Sequence, residues 1–253
     1  MKPLLILFIF ISSIVSGQVK KGNIFYASYK DSSLIGSKDG YWIINNYFNK
    51  PKEEGKYLNG LKDSTWKSYN MKGEVLELGK YVKGKKEGIW TFTPYKGYFM
   101  QGLYINNKKV GDWNAFYNDT LVLQEKYDSL GLKQGKQKRF YQSGELNSFG
   151  EYKNGKLNGE MRAYFKNGQI KESCNYKMGI PISPYEGFNE NGELLWRRLY
   201  DKSGTLIEDK AWEDGILVDW TTYTNGKEQE RKKYNKKGKL IYHSKKGEII
   251  IGK

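Results

Sequence analysis

The chain has 253 residues and carries 43 Lys and Arg against 28 Asp and Glu, a formal net charge of +15. With 38% hydrophobic residues and a mean hydropathy of -0.76 it is lean for a conventional globular core. Seven Trp, 21 Tyr and 11 Phe nevertheless exclude a disordered chain, which would be poor in aromatics.

At the N-terminus, Met1 and Lys2 precede an apolar run from Leu4 to Val15, and Val15-Ser16-Gly17 supplies small residues before Gln18. That pattern predicts a signal peptide over 1–17, cleaved between Gly17 and Gln18, with export to a periplasmic, outer-surface or secreted location. The run is too short and too interrupted by Ser12 and Ser13 for a membrane span, so no transmembrane span is expected in the mature chain.

Residues 18–54 carry Phe25-Tyr26, Tyr29, Tyr41-Trp42 and Tyr47-Phe48, and are expected to form an N-terminal cap or a diverged first repeat. From residue 55 a periodicity takes over. Gly55-Lys56-Tyr57, Gly79-Lys80-Tyr81, Gly102-Leu103-Tyr104 and Gly150-Glu151-Tyr152 start 24, 23 and 48 residues apart, the last gap holding the degenerate copy Glu125-Lys126-Tyr127. Nine residues after each tyrosine stands Trp66, Trp90, Trp113 or Met161, followed by further aromatics: Tyr69, Phe92, Phe116 and Tyr164. Spacings of two or four place such residues on one face of a strand.

Between these landmarks lie Asn-Gly at 59–60, 154–155, 158–159, 167–168, 191–192 and 225–226, and Lys-Gly at 72–73, 83–84, 237–238 and 246–247. Asn-Gly suits a type I′ turn, which needs positive φ at both central residues. The glycines are accordingly assigned to hairpin turns, and the unit is read as strand, turn, strand. No helical period is present.

Few residues of the chain carry recognisable site chemistry. Cys174, the only cysteine, ends the predicted strand stretch Gln169–Cys174 and is expected to pack there; it can form neither an intramolecular disulfide nor a cysteine zinc cage. His243, the only histidine, sits in Leu240-Ile241-Tyr242-His243-Ser244 and excludes a multi-histidine metal site. A catalytic base also needs positioned partners, so His243 is read as structural or exposed. Glu53-Glu54 and Glu74 with Glu77 would be needed across a cleft to serve a glycosidase, and nothing in the sequence marks either pair. No catalytic, cofactor-binding or metal-ligating residue is predicted, and no binding residue is singled out.

Gly150-Glu151-Tyr152-Lys153-Asn154-Gly155-Lys156-Leu157-Asn158-Gly159-Glu160-Met161-Arg162-Ala163-Tyr164-Phe165-Lys166-Asn167-Gly168 resembles one copy of the variant MORN repeat, with Met161 in place of the usual tryptophan. The resemblance implies an all-β fold: tandem hairpins of about 23 residues pairing into one elongated, twisted antiparallel sheet. It covers an array over 55–199, with degenerate repeats and a C-terminal cap over 200–253, where Trp212-Glu213-Asp214-Gly215 and Trp220-Thr221-Thr222-Tyr223 are blurred copies.

Without residues 1–17 the balance is 42 basic against 28 acidic residues, or +14. Lysines gather near turns, as in Lys83-Gly84-Lys85-Lys86, Lys108-Lys109 and Arg231-Lys232-Lys233, where they also keep exposed sheet edges from pairing. The expectation is an exported, non-catalytic repeat scaffold or binding module with a protein partner first. Binding of an anionic lipid or acidic envelope polymer is the alternative, and an exported hydrolase is the alternative from another class. Nucleic acid is disfavoured by export.

Overall fold

The computed structural model describes residues 18–21, 24–27 and 39–250. The expected signal segment lies outside them. The described residues contain strands and turns and no helix, so the fold is all-β, as the repeat pattern predicts. Two compact units divide at Lys108/Lys109.

The first unit holds β1 (Gln18–Lys21), β2 (Ile24–Ala27), β3 (Gly40–Asn45), β4 (Pro51–Leu58), β5 (Leu61–Tyr69), β6 (Val75–Val82), β7 (Lys85–Phe92) and β8 (Tyr98–Ile105). From β3 onward, consecutive strands pair antiparallel. One pair departs from the antiparallel expectation: β2 runs parallel to β3, with Ile24 opposite Tyr41.

The second unit begins with β9 (Lys108–Tyr117), β10 (Thr120–Tyr127), β11 (Gly135–Phe140), β12 (Leu146–Lys153), β13 (Lys156–Tyr164) and β14 (Ile170–Lys177). It continues through β15 (Ile180–Pro181), β16 (Tyr185–Phe188), β17 (Leu194–Tyr200), β18 (Leu206–Glu213), β19 (Ile216–Thr224), β20 (Lys227–Tyr234), β21 (Leu240–Lys245) and β22 (Glu248–Ile250). Its pairings are antiparallel throughout, β14 serving both β15 and β16.

Two loop designs connect the strands. Asn59-Gly60, Lys83-Gly84, Asn154-Gly155, Asn225-Gly226 and Lys246-Gly247 have positive φ at both residues, the two-residue type I′ turns that the sequence predicts. Asn106-Asn107, Asn118-Asp119, Met178-Gly179 and Asp214-Gly215 adopt the same conformation without an Asn-Gly or Lys-Gly signal. The dipeptides at 72–73, 167–168, 191–192 and 237–238 belong instead to five-residue loops in which only the glycine has positive φ. In the loop from Asn70 to Glu74, the Asn70 Oδ1 accepts from the amides of Lys72 and Glu74, so a short polar side chain closes the loop. Asn158-Gly159 is not a turn at all. It lies inside β13, where Gly159 has a φ of 122°. Ser64, Gly88, Gly111 and Gly135 have positive φ at the corresponding place, two residues before Trp66, Trp90, Trp113 and Gln137. At Ser64, Gly88 and Gly159 the pairing shifts register, a β-bulge that re-aims the strand.

The core is thin and distributed along the array. Trp42, Trp66, Trp90 and Trp113 are buried, and each buried indole contributes about 2–3 kcal/mol. In the first unit the rings meet edge to face in an unbroken series. Trp42–Tyr57, Tyr57–Trp66, Trp66–Tyr81, Tyr81–Trp90 and Trp90–Tyr104 have centroids 6.3, 5.0, 6.2, 5.0 and 6.0 Å apart, a geometry that suits the ring quadrupoles. The assignment of all glycines to turns is corrected here. Gly55 and Gly79 lie in strands, and a Cβ on either would come closer than 3.0 Å to the ring of Trp66 or Trp90. The indole lies flat on backbone that has no side chain.

A second periodic feature links one repeat to the next. The amide of Asn59 donates to Asp39 Oδ1 (2.6 Å), that of Asn106 to Glu87 Oε2 (3.0 Å), that of Asn154 to Gln134 Oε1 (3.2 Å) and that of Met178 to Asn158 Oδ1 (3.2 Å). Each donor is the first residue of a two-residue turn, and each acceptor stands three residues before Trp42, Trp90, Gln137 or Met161.

Candidate functional site

Residues that the sequence brings forward are largely engaged in holding the sheet. Cys174 is buried in β14 opposite Met161, and burial pushes its thiol pKa up. His243 Nε2 lies 2.8 Å from Glu230 Oε1, which also pairs with Lys232 at 3.0 Å. Glu53 and Glu54, adjacent in a strand, point to opposite faces: Glu53 pairs with Lys62 at 2.5 Å, and Glu54 accepts from the Tyr69 hydroxyl at 2.6 Å. Glu77 pairs with Lys86 at 3.2 Å, whereas Glu74 bonds Asn70 within its own loop. Among the described residues, no cluster of three or more His, Cys, Asp or Glu could hold a metal ion.

Some lysines read as edge charges have a second role. Lys62, Lys86 and Lys109 place their ammonium groups 4.1, 3.9 and 4.3 Å from the rings of Trp66, Trp90 and Trp113. Their stems cover the indoles while the charge rests on the ring face. Burial lowers the Lys109 pKa.

Two interruptions of the ring series in the second unit each open a cleft. In the first, Glu125 stands opposite Trp113, where a glycine stands in the better-preserved repeats, and Gln137 takes the tryptophan register opposite Gly150. The Gln137 amide does the work of an indole N–H. Its Nε2 donates to the carbonyls of Lys126 (3.1 Å) and Gln134 (2.9 Å), as Trp66 Nε1 donates to those of Lys56 (3.0 Å) and Asp63 (3.1 Å). Buried Glu125 accepts from Lys133 and from the Tyr127 hydroxyl, both at 2.7 Å. Burial works to raise the Glu125 pKa, but those two hydrogen bonds and the charges of Lys133 and Lys109 outweigh it, and the net displacement is downward. The cleft beside them is about 170 Å³, and Leu157 leans over Gly150 to occupy part of the vacated ring space.

The second interruption is wider. Trp66, Trp90 and Trp113 are each the sixth residue of their strands; in β19 the sixth residue is Thr221, 4% exposed, and the tryptophan comes one residue early, as Trp220. A shift of one residue turns a side chain to the other face of the sheet. On that other face, Trp220 Nε1 donates to Glu208 Oε1 (2.7 Å) and Lys232 covers the ring at 4.4 Å. The face it vacates carries a cleft of about 350 Å³ between Trp196 and Tyr223, floored by Ala211 and Thr221. Arg198 with Asp209, and Arg231 with Asp219, line its sides. No sequence signal marked these residues as one site, because they come from four strands spread over residues 196–231.

A third feature is a surface. On one edge of the first unit the loops at 46–50, 70–74 and 93–97 present Tyr47, Phe48, Met71 and Tyr95, which are 73%, 62%, 66% and 57% exposed. Exposed Lys50, Lys52, Lys72 and Lys96 stand among them. A depression of about 480 Å³, lined by Leu76, Phe92, Pro94, Tyr98 and Met100, adjoins Tyr95.

No family model matches the chain, and no curated protein matches it. Among solved structures, the chain is similar to the TcdB2-TccC3 complex, with 11% identity over 82% of this chain and 13% of that one and a TM-score of 0.21. The TcdB2-TccC3-Cdc42 complex is similar at 11% identity over 81% and 13%, with a TM-score of 0.19. The chain thus spans about an eighth of the length of these chains.

Proposed function

We propose that the protein is an exported, non-catalytic repeat scaffold that binds a protein partner, and that the loop row bearing Tyr47, Phe48, Met71 and Tyr95 is its docking edge. The observation that carries this reading is the exposure of four large apolar side chains on successive loops of one edge. Large aromatic and Met side chains concentrate at protein interfaces, and contiguous exposed apolar groups mark interaction sites. The resemblance to the variant MORN repeat supports a scaffold, since extended repeat surfaces serve for binding. The engagement of Glu53, Glu54, Glu77 and His243 in the sheet's own hydrogen bonds supports a non-catalytic role.

A second reading is favoured by Lys50, Lys52, Lys72 and Lys96 around the same tips. Aromatic tips with flanking lysines suit an anionic membrane surface. Cross-linking in the native cell envelope, with the wild type and a variant carrying Ser at 47, 48, 71 and 95, separates the two. A protein captured by the wild type and lost by the variant, with capture surviving a rise in salt, supports the first reading. Binding to anionic vesicles that weakens steeply with salt, without any captured protein, replaces it by the second. Capture unchanged in the variant overturns the assignment of the edge.

A further inference from the structure

The cleft over Ala211 and Thr221 is a built site with a mixed polar rim. Asp209 stands opposite Arg198 on one neighbouring strand and Thr221 on the other, and Thr221 stands opposite Arg231, so these four side chains form a row across β17, β18, β19 and β20. A parallel row two residues away runs Trp196, Ala211, Asp219 and Lys233. Both rows share one face. At their centre are two small side chains where the better-preserved repeats carry an indole.

The walls are held firmly. The Trp196 ring lies over Gly187, where a Cβ would come closer than 3.0 Å to it, and meets Tyr185 edge to face at 4.9 Å. Arg231 donates to Asp219 through Nε (3.2 Å) and Nη2 (2.6 Å), a bidentate pair. Arg198 donates through Nε to Asp209 (3.3 Å), with its guanidinium 4.9 Å from the Trp196 ring. A guanidinium has five N–H donors and a carboxylate about four acceptor sites. Both pairs therefore retain hydrogen-bonding capacity beyond the bonds between them.

The chemistry of the rim selects among ligands. An anion would meet Asp209 and Asp219, and a cation would meet Arg198 and Arg231. A purely apolar ring would leave the remaining donors and acceptors dry, at about 1–3 kcal/mol for each group left unpaired. A sugar ring fits both demands. Each hydroxyl donates and accepts, its C–H face can lie against Tyr223, and the cleft volume is in the range of small-ligand sites. We propose that this cleft binds a pyranose unit of a glycan, with Tyr223 as the stacking wall and the Arg198–Asp209 and Arg231–Asp219 pairs as the hydroxyl-binding rim. The site shares no residue with the loop row of the first unit, and each proposal can fail without the other.

The test is titration of the full chain with glucose, N-acetylglucosamine and galactose, each as monosaccharide and as tetrasaccharide, followed by tryptophan fluorescence and calorimetry. At least one sugar should saturate with a dissociation constant at or below about 1 mM. Ala211→Leu, which fills the floor, should weaken that binding at least about tenfold. Asp209→Asn, which keeps the shape but changes the rim, should weaken it as well, and provides the answer if Ala211→Leu fails to fold by circular dichroism. Preference for a tetrasaccharide would indicate a polymer as the source, and equal binding of the monosaccharide a free sugar. No saturable binding by any of the six at about 10 mM overturns the proposal, as does binding that a folded Ala211→Leu or Asp209→Asn variant leaves unchanged.

Discussion

Gly79 and Trp90 share a single side-chain site: the indole lies where the Cβ of any other residue at position 79 would have to go. Gly79 also stands opposite Trp66 on the neighbouring strand, so a glycine between two tryptophans sets how closely successive repeats pack.

Gly79→Ala should therefore destabilise the chain by about 1–3 kcal/mol or more, because overpacking displaces a buried ring. Gly73→Ala has open space around it but a φ of 86°, and its cost is the backbone strain alone, about 1–2 kcal/mol. Urea midpoints of the two variants, of Trp90→Leu, and of Gly79→Ala combined with Trp90→Leu check the assignment. In the double variant the two losses should not add.

Alkaline pH should weaken the ring series in a defined window. Burial, reinforced by the charge of Glu53 on Tyr57 and of Glu77 and Glu53 on Tyr81, pushes both phenol pKa values from 10.0 to about 12. A folded-state pKa above the unfolded one gives stability that is complete below about pH 10 and is lost as pH rises through about 12. Urea midpoints measured across that window should fall, and tyrosinate absorbance should show these two rings ionising above the ordinary phenol range.

Gln137→Leu should cost about 1–3 kcal/mol, since it leaves the Lys126 amide and carbonyl without their side-chain partner in a buried place. Gln137→Glu tests the donor separately: it can still accept from the Lys126 amide but, ionised, cannot donate to its carbonyl. Equal stability of wild type and Gln137→Leu in urea would contradict the role given to this amide.

Acid should act through Glu125. Its pKa is lowered in the folded chain, so the stability it confers is present above the ordinary carboxylate range and is lost as pH falls through the lowered value. Glu125→Gln should lower stability at neutral pH and flatten the acid limb of the stability curve. A parallel loss with pH in both proteins would show that other groups govern that limb.

Asp39→Ala should remove about 0.5–1.5 kcal/mol by depriving the Asn59 amide of its acceptor, whereas Asp39→Asn should retain most of it. Hydrogen exchange at Asn59 reports the effect directly, and faster exchange confined to the Ala variant is the expected result.

The repeat register was legible because its landmarks are large: Tyr57, Tyr81 and Tyr104 alternate with Trp66 and Trp90 in space as their spacing implies. The glycines were half legible. A glycine needed for positive φ, as at 60, and one needed as a floor for a ring, as at 55, are the same letter, and only the strand partner distinguishes them. Asn158-Gly159 carried a turn signal inside a strand because a bulge also needs positive φ. Gln137 was invisible as a substitute for tryptophan, since the longer loop at Asp128–Leu132 moves it out of the nine-residue spacing. The cleft over Ala211 and Thr221 was out of reach for another reason. Its residues converge through the pairing of four strands, and the early position of Trp220 has meaning only once the face it occupies is known.

The acceptors at Asp39, Glu87, Gln134 and Asn158 all serve turn amides 19 to 20 residues later in the chain, never earlier. The array thus has a direction that a simple stack of hairpins would lack. Shortening it from the C-terminal side leaves an idle acceptor in water, whereas cutting into it from the other side strips a turn of its anchor. Gain or loss of whole periods keeps every acceptor matched to an amide; a half period does not. The length of such a chain is therefore expected to change in whole periods, the steps that keep these four anchors matched.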